Sequence, residues 1–344
     1  MGIFNNLFDI DSRDNYAVTG LNKELNSLYI YNYFIKNKKN NLVITNSLYE
    51  ANDVYNRLLN YTNKVLFFPM DDFITSEVTD ISPEFVIDRL ITLNKLLGSG
   101  KYIVVTNLMG ILRYLPNTKL YKNKIIDINK NMDIDRDDFI NKLFDLGYEK
   151  VPVVSRTGEM AIRGYVIDIF PIEFDNPIRI EFWGDTIDSI KYFDLDDQIS
   201  NTSVDSVKIY PYTEFLIDGK IEDNIIRKQK YLLNYSDSVS GLWDYVSDSV
   251  IFYYDYNQII NSYSLLRENI LEYDSELDDD IKTNYMWNIE DISNKHNIYI
   301  LDIDNLIDLD VNNKKYVSHS IENYCGNFEK LKLDLIRYIK SGKT

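Results

Sequence analysis

Two short stretches carry residues at spacings that could do chemistry. In Tyr16-Ala17-Val18-Thr19-Gly20-Leu21-Asn22-Lys23-Glu24, a turn at Thr19-Gly20 is followed by a lysine and then a helical pattern. A phosphate-binding loop reads G-x-x-x-x-G-K-[ST]: glycines let backbone N–H groups wrap the phosphates, the lysine neutralises them and the hydroxyl holds Mg²⁺. Here Ala17 and Asn22 stand at the glycine positions and Glu24 at the hydroxyl position, so only Lys23 and the turn glycine, Gly20, keep the pattern. The second stretch, Ser249–Tyr256, is an apolar strand ending in Asp255, the place of a Mg²⁺-holding carboxylate. Tyr256 follows where a water-activating glutamate would stand, and a phenol is no general base at neutral pH.

Each half alone has a bland explanation, since many strands end in Asp and a lysine at a helix start usually faces solvent. Together they place both halves of one nucleotide site in the expected order, each without its chemistry. A Glu24 carboxylate at ~4 Å from a phosphate costs about 1–4 kcal/mol, depending on local dielectric. Asn22 also lacks the backbone freedom of a glycine. The expectation is a site that does not hydrolyse ATP and binds it poorly.

A third constellation lies mid-chain. In Pro177-Ile-Arg-Ile-Glu-Phe-Trp183, strand alternation puts Ile178, Ile180 and Phe182 on one face and Arg179, Glu181 and Trp183 on the other. In Met160–Val166, the same reading sends Ile162 and Val166 one way and Arg163 and Tyr165 the other. Arginine and tryptophan on solvent-facing strand positions are residue types enriched in interface hot spots. The alternatives are a Trp183 packed on a neighbouring domain and arginines in surface ion pairs worth little. Direct nucleic-acid binding by these arginines is a further alternative, and salt-dependent DNA binding would reveal it.

Composition bounds the rest. Net charge is −17 over 344 residues, which argues against a large sequence-independent nucleic-acid footprint. Tyr, Asn, Ile, Lys and Asp are abundant, as an AT-rich genome would produce. The single cysteine, Cys325, excludes an intramolecular disulfide, and with only His296 and His319 no zinc-ligand spacing exists. No metal site is expected. The N-terminus lacks a signal-peptide pattern and no run approaches the ~20 apolar residues of a membrane span. A cytoplasmic protein without a membrane partner is expected.

The elements that position these residues follow from periodicity. Residues 41–46, 64–69 and 101–107 are β-branched or aromatic runs, as expected for strands buried on both faces. Helical spacing lies between them, and Ser82 as N-cap, Pro83 and Gly98 bracket one helix. This predicts an α/β domain over 1–118 with a parallel sheet. From 119 to 212 the pattern is β-rich α+β, a helix followed by antiparallel strands, with Gly184-Asp185 as a hairpin turn. From 213 to 344 the chain returns to α/β, with strands at 248–255 and 297–303 and a last helix before Ser341-Gly-Lys-Thr344. That terminal SGKT is a chance likeness to a phosphate loop, because Arg337 holds the glycine position and no helix follows.

This order of pieces resembles the front of the excision-repair protein UvrB: a degenerate P-loop, RecA/helicase-like sheet interrupted by a β-rich insert. Phe67–Leu97, Tyr102–Asn117 and above all Gly147–Asp194 resemble the transcription-repair coupling factors (Mfd) more closely, and the likeness covers roughly residues 15–330. The resemblance implies a non-catalytic N-terminal module whose ATP site has decayed and whose insert recruits UvrA in transcription-coupled nucleotide excision repair. It places Arg163, Arg179 and Trp183 on UvrA-contacting positions, with Arg156 a weaker addition, and Trp183 as apolar anchor beside arginines paired with UvrA carboxylates. Between Phe68 and Ser82 there is no room for the DNA-clamping hairpin of UvrB. No cofactor is expected here. ATP, Mg²⁺, RNA polymerase and double-stranded DNA belong to the motor and other C-terminal domains of a full-length translocase. In complete coupling factors one of those domains covers the docking face, so a chain lacking it is expected to bind UvrA constitutively. The rival reading is an ATP-dependent DNA-binding repair enzyme of the UvrB or helicase type.

Overall fold

A computed structural model describes residues 7–10, 15–71, 82–219, 229–276, 284–292, 296–301, 311–318, 324 and 326–341. The 72–81 segment, Cys325, His319 and Gly342-Lys343-Thr344, all named above, lie outside the described residues.

The first strands and helices alternate: β1 (Tyr16–Thr19), α1 (Lys23–Asn37), β2 (Asn40–Thr45), α2 (Leu48–Leu59), β3 (Val65–Phe68), α3 (Pro83–Leu96) and β4 (Ile103–Asn107). Then come α4 (Leu108–Leu112), β5 (Leu115–Pro116) and α5 (Thr118–Lys124). The middle of the chain holds β6 (Ile126–Asn129), α6 (Arg136–Asp145), β7 (Glu149–Lys150), β8 (Glu159–Arg163), β9 (Val166–Ile169), β10 (Ile178–Trp183), β11 (Thr186–Phe193), β12 (Ser200–Ser203) and β13 (Ser206–Ile209). The chain then returns through α7 (Leu232–Tyr235), β14 (Val239–Ser240), α8 (Leu242–Tyr245), β15 (Ser249–Tyr254), α9 (Tyr256–Glu276), β16 (His296–Leu301), β17 (Asn312–Lys315) and α10 (Phe328–Lys340).

Seven strands form one sheet in the order β17-β1-β16-β15-β2-β4-β3, and every pairing in it is parallel. The expected parallel α/β sheet is therefore present, assembled from both ends of the chain. Its strands alternate between two cores. Val43, Phe252 and Ile298 face Tyr29 and Tyr33 of α1 and Val54 of α2. Leu42, Ile44, Ile251 and Tyr253 face Leu93 of α3 and Ile259 of α9. Each such fully buried aliphatic or phenyl side chain is worth roughly 1.5–3 kcal/mol relative to exposure. Among the described residues no helix is long and apolar enough to cross a membrane.

In chain order between the strands that open and close that sheet, six strands form a second one in the order β12-β11-β10-β9-β8-β7. One face packs Ile167, Ile178, Ile180 and Phe182 against Phe139 and Leu143 of α6 and against the β6–β13 ribbon. The pairings are antiparallel, as expected, except β7 with β8, which is parallel. Two residues of β7 were too few to give a readable pattern.

The returning chain is pinned by a buried ionic triad. Glu214 accepts from Nε and Nη2 of Arg89 on α3, both at 2.9 Å, and from Nη2 of Arg113 just past α4 at 2.8 Å. Burial alone would raise the Glu214 pKa, but Arg113 and Arg89 outweigh it and hold the carboxyl below its ordinary value. Burial lowers Arg113 to about 10, with Glu214 opposing the shift.

One local expectation holds with a different bond, and one needs correction. Ser82 does sit at the N-cap of α3 but makes no side-chain capping bond; its carbonyl takes the Phe85 and Val86 N–H groups instead. Val166 lies on the face of Arg163, not of Ile162, because Arg163 and Val166 are direct cross-strand partners. The two-residue turn Gly164-Tyr165 between them, with Gly164 at φ 59°, breaks the alternation count.

Candidate functional site

The nucleotide corner is built where β1 runs into α1. Ala17 is buried in β1, and Gly20 turns the chain at φ 83°, a conformation glycine adopts without strain. Asn22 is the N-cap of α1, its Oδ1 accepting from Leu25 N at 2.9 Å. Ser318, just past β17, crosses the turn: its Oγ accepts from Asn22 N and donates to the Gly20 carbonyl, both at 2.8 Å. The N–H groups of Asn22 and Leu25, which could face an anion, are thus already bonded within the chain. Lys23 opens the helix. Glu24 forms a 2.6 Å ion pair with Arg57 of α2, which also holds Asp53 at 3.0 Å. Burial works to raise the Glu24 pKa, but a backbone bond and Arg57 leave it lowered.

At the end of β15, Asp255 sits at φ 58° and caps α9, accepting from the Gln258 backbone N–H at 3.4 Å and from Gln258 Nε2 at 2.5 Å. Tyr256 packs edge-on to Tyr253 and Tyr299, with centroids 5.3 and 4.9 Å away. The acidic group the sequence reading missed here is Glu50 of α2. Burial raises its pKa, Asp255 adds repulsion, and Lys23 opposes both. Among the described residues no group of three His, Cys, Asp or Glu side chains is placed to hold a metal ion.

The second constellation occupies the polar face of the six-stranded sheet, in cross-strand rows. The first row is Lys191, Arg179, Asp168 and Ala161; the second is Ser189, Glu181, Val166 and Arg163; the third pairs Trp183 with Thr186 beside the Gly184-Asp185 hairpin. Arg163, Arg179 and Trp183 thus share one face, as the alternation within β8 and β10 indicates. At the row of Asp168, however, the structure adds what the sequence reading did not find. Asp168 is 0% exposed, and both of its oxygens are taken by arginines. Arg179 grips it with Nε to Oδ1 at 2.7 Å and Nη2 to Oδ2 at 3.0 Å, and Arg163 Nη2 also donates to Oδ2. The readable signal was a lone acid inside the apolar run Val166-Ile167-Asp168-Ile169.

Arg179 is further held by the Gln198 carbonyl at 3.1 Å and lies 4.7 Å over the Phe193 ring. Its pKa is raised, chiefly by the Asp168 bond. In the next row Glu181 accepts from Lys191 Nζ at 2.7 Å and from Ser189, and these bonds lower its pKa. Trp183 is 83% exposed and Tyr165 66%, so two large aromatic rings stand in solvent at adjacent hairpin tips. Among the described residues, Trp183 is packed on no neighbouring domain. Arg156 is not brought to this group: it precedes β8, pairing with Glu159 at 3.0 Å and Glu149 at 3.5 Å. The length of β8, about 13 Å at ~3.3 Å per residue, separates it from Arg163.

Residues 126–215, which include both arginines, Asp168, Trp183 and Glu214, match the family described as the UvrB interaction domain. The chain is similar to the transcription-repair-coupling factors. It is 34% identical to that of Staphylococcus haemolyticus over 220 residues, which is 63% of this chain and 19% of that protein. Against the Staphylococcus epidermidis factor it is 31% identical over 235 residues, 68% of this chain and 20% of the relative. A Staphylococcus aureus factor matches at 32% over 220 residues. The chain therefore spans about a fifth of the length of the curated relatives it matches. The resemblance to coupling factors and the UvrB-like α/β arrangement both stand.

Proposed function

We propose that this chain is a non-catalytic docking module that recruits UvrA in transcription-coupled nucleotide excision repair. The observation that carries the reading is the solvent-exposed Trp183 on the face of the Arg163–Asp168–Arg179 cluster, within a UvrB interaction domain. An exposed aromatic anchor beside charged donors is the composition of an interface hot spot. In this reading residues 119–212 dock the partner, and 1–118 with 213–344 form the α/β frame that carries them. Arg156 serves as a peripheral contact. The protein works in the cytoplasm, and RNA polymerase, double-stranded DNA and ATP-driven translocation belong to other parts of a longer coupling factor.

The nucleotide corner is structural in this reading. The Asn22 and Ser318 side chains occupy two of the backbone N–H groups that phosphates would need, and the Glu24 carboxylate adds repulsion. A fluorescent ATP analogue is expected not to bind, and micromolar binding would overturn that part.

The docking reading is tested by calorimetric titration with UvrA, comparing the wild type with an Arg163→Ala, Trp183→Ala double variant. Both positions are exposed enough to leave the fold intact. Binding by the wild type, abolished in the variant, is the expected result. Absence of wild-type binding, with both proteins folded, would overturn the recruitment function.

A further inference from the structure

The two arginines of the docking face are not equivalent, and the difference lies in how their donors are spent. A guanidinium has five N–H donors and a carboxylate about four acceptor sites. Arg179 directs Nε and Nη2 to Asp168 and Nη1 to the Gln198 carbonyl and, at 3.5 Å, to Ser200 Oγ. Its side chain is 18% exposed. Arg163 directs Nη2 to Asp168 and is 45% exposed. Asp168 between them is wholly buried, on β9, the central one of three adjacent strands.

We propose that Asp168 is a positioning residue for partner recognition: it fixes Arg179 as an internal brace and presents Arg163 as the outward donor. This rests on the docking reading above. Two arginines and one carboxylate leave the cluster with a single net positive charge. It therefore suits one carboxylate of an acidic side chain of UvrA, with Trp183 taking an apolar pocket nearby. The bidentate Arg179–Asp168 pair fixes the carboxylate plane, and the shared Oδ2 then sets where the Arg163 guanidinium lies. Without the carboxylate the two guanidinium groups would repel and lose their common orientation.

Two measurements on the full chain test this. The first is the side-chain Nε–H resonance of arginine in wild-type protein by NMR. Arg179 is expected to give a dispersed, slowly exchanging signal; exchange of Arg179 at the rate of a free guanidinium would overturn the brace, whether or not any variant folds. The second is titration of UvrA with Asp168→Asn, whose fold is checked by circular dichroism. Binding about 30-fold weaker or more is expected, because the charge pair that orients the contact is broken. That loss should be non-additive with Arg163→Ala and additive with Trp183→Ala. Restoration of most of the affinity by Asp168→Glu would support the assignment. A folded Asp168→Asn variant that binds like the wild type, or full additivity with Arg163→Ala, would overturn it. Absence of binding by the wild type overturns the docking reading itself, and the Arg179 signal tells that failure apart from failure of the brace.

Discussion

The N-terminal turn of α1 and the polar face of the six-stranded sheet both set cations beside carboxylates, yet they dispose of charge in opposite ways. At the turn, Arg57 is shared by Glu24 and Asp53, Asp255 caps α9, and Asn22 caps its own helix. Bonds there close inward on the chain. On the sheet face, one buried carboxylate is shared by two arginines, and beside them a tryptophan stands in water. Residue types alone do not separate the two regions; in both the named charged groups are bonded within the chain, and what separates them is the exposed Trp183 beside the bonded cluster of the sheet face.

The largest effect that would break this contrast is at Arg179. Its replacement by alanine leaves Asp168 buried with only Arg163, and removing one partner of a buried pair costs about 3–5 kcal/mol. Because Arg163 remains, the loss is expected near about 3 kcal/mol in urea denaturation. Arg163→Ala, at an exposed position, should cost under about 1 kcal/mol. Equal losses would remove the distinction between Arg179 as brace and Arg163 as outward donor.

A smaller effect sharpens the corner. Asn22→Ala removes the cap of α1 and should cost about 1 kcal/mol by thermal or denaturant unfolding. Trp183→Ala should move stability by no more than about 0.5 kcal/mol while removing the partner anchor. If Asn22→Ala leaves stability unchanged, the corner is not the closed structural turn described above.

The smallest effect is one of sign. The Lys191 and Ser189 bonds lower the Glu181 pKa, so its stabilisation is present above the ordinary glutamate range and lost as pH falls through the folded value. Glu50 is the reverse. Burial and Asp255 raise its folded pKa, so the folded state holds the proton longer and stability falls as pH rises from the ordinary value through the raised one. Relative to wild type at neutral pH, Glu181→Gln should lower the Tm and Glu50→Gln should raise it. Both differences should vanish once the carboxylates are protonated. Shifts of the same sign would remove the distinction.

Much of the frame was legible because burial on both faces leaves continuous apolar runs. Asn41–Thr45, Val65–Phe68, Ile103–Asn107 and Val250–Tyr254 lie in strands anticipated from such runs. The edge strand β17, Asn-Asn-Lys-Lys, was not legible, since its four residues owe their extended form to pairing with β1. The hairpin at Gly184-Asp185 was readable from its turn residues, whereas the Gly164-Tyr165 turn was counted through as strand and placed Val166 on the wrong face.

The same division holds for the sites. By itself the sequence determined the altered phosphate loop, the Arg179–Glu181–Trp183 alternation and the parallel sheet, because composition and period two or 3.6 are local properties of the chain. Only the tertiary structure decided that Ser318 crosses the turn to Gly20 and Asn22, that Glu214 joins Arg89 to Arg113, and that Asp168 stands between two arginines. Ser318 and Glu214 reach partners about a hundred residues or more away, and the Asp168 contacts depend on strand register; side-chain periodicity encodes neither.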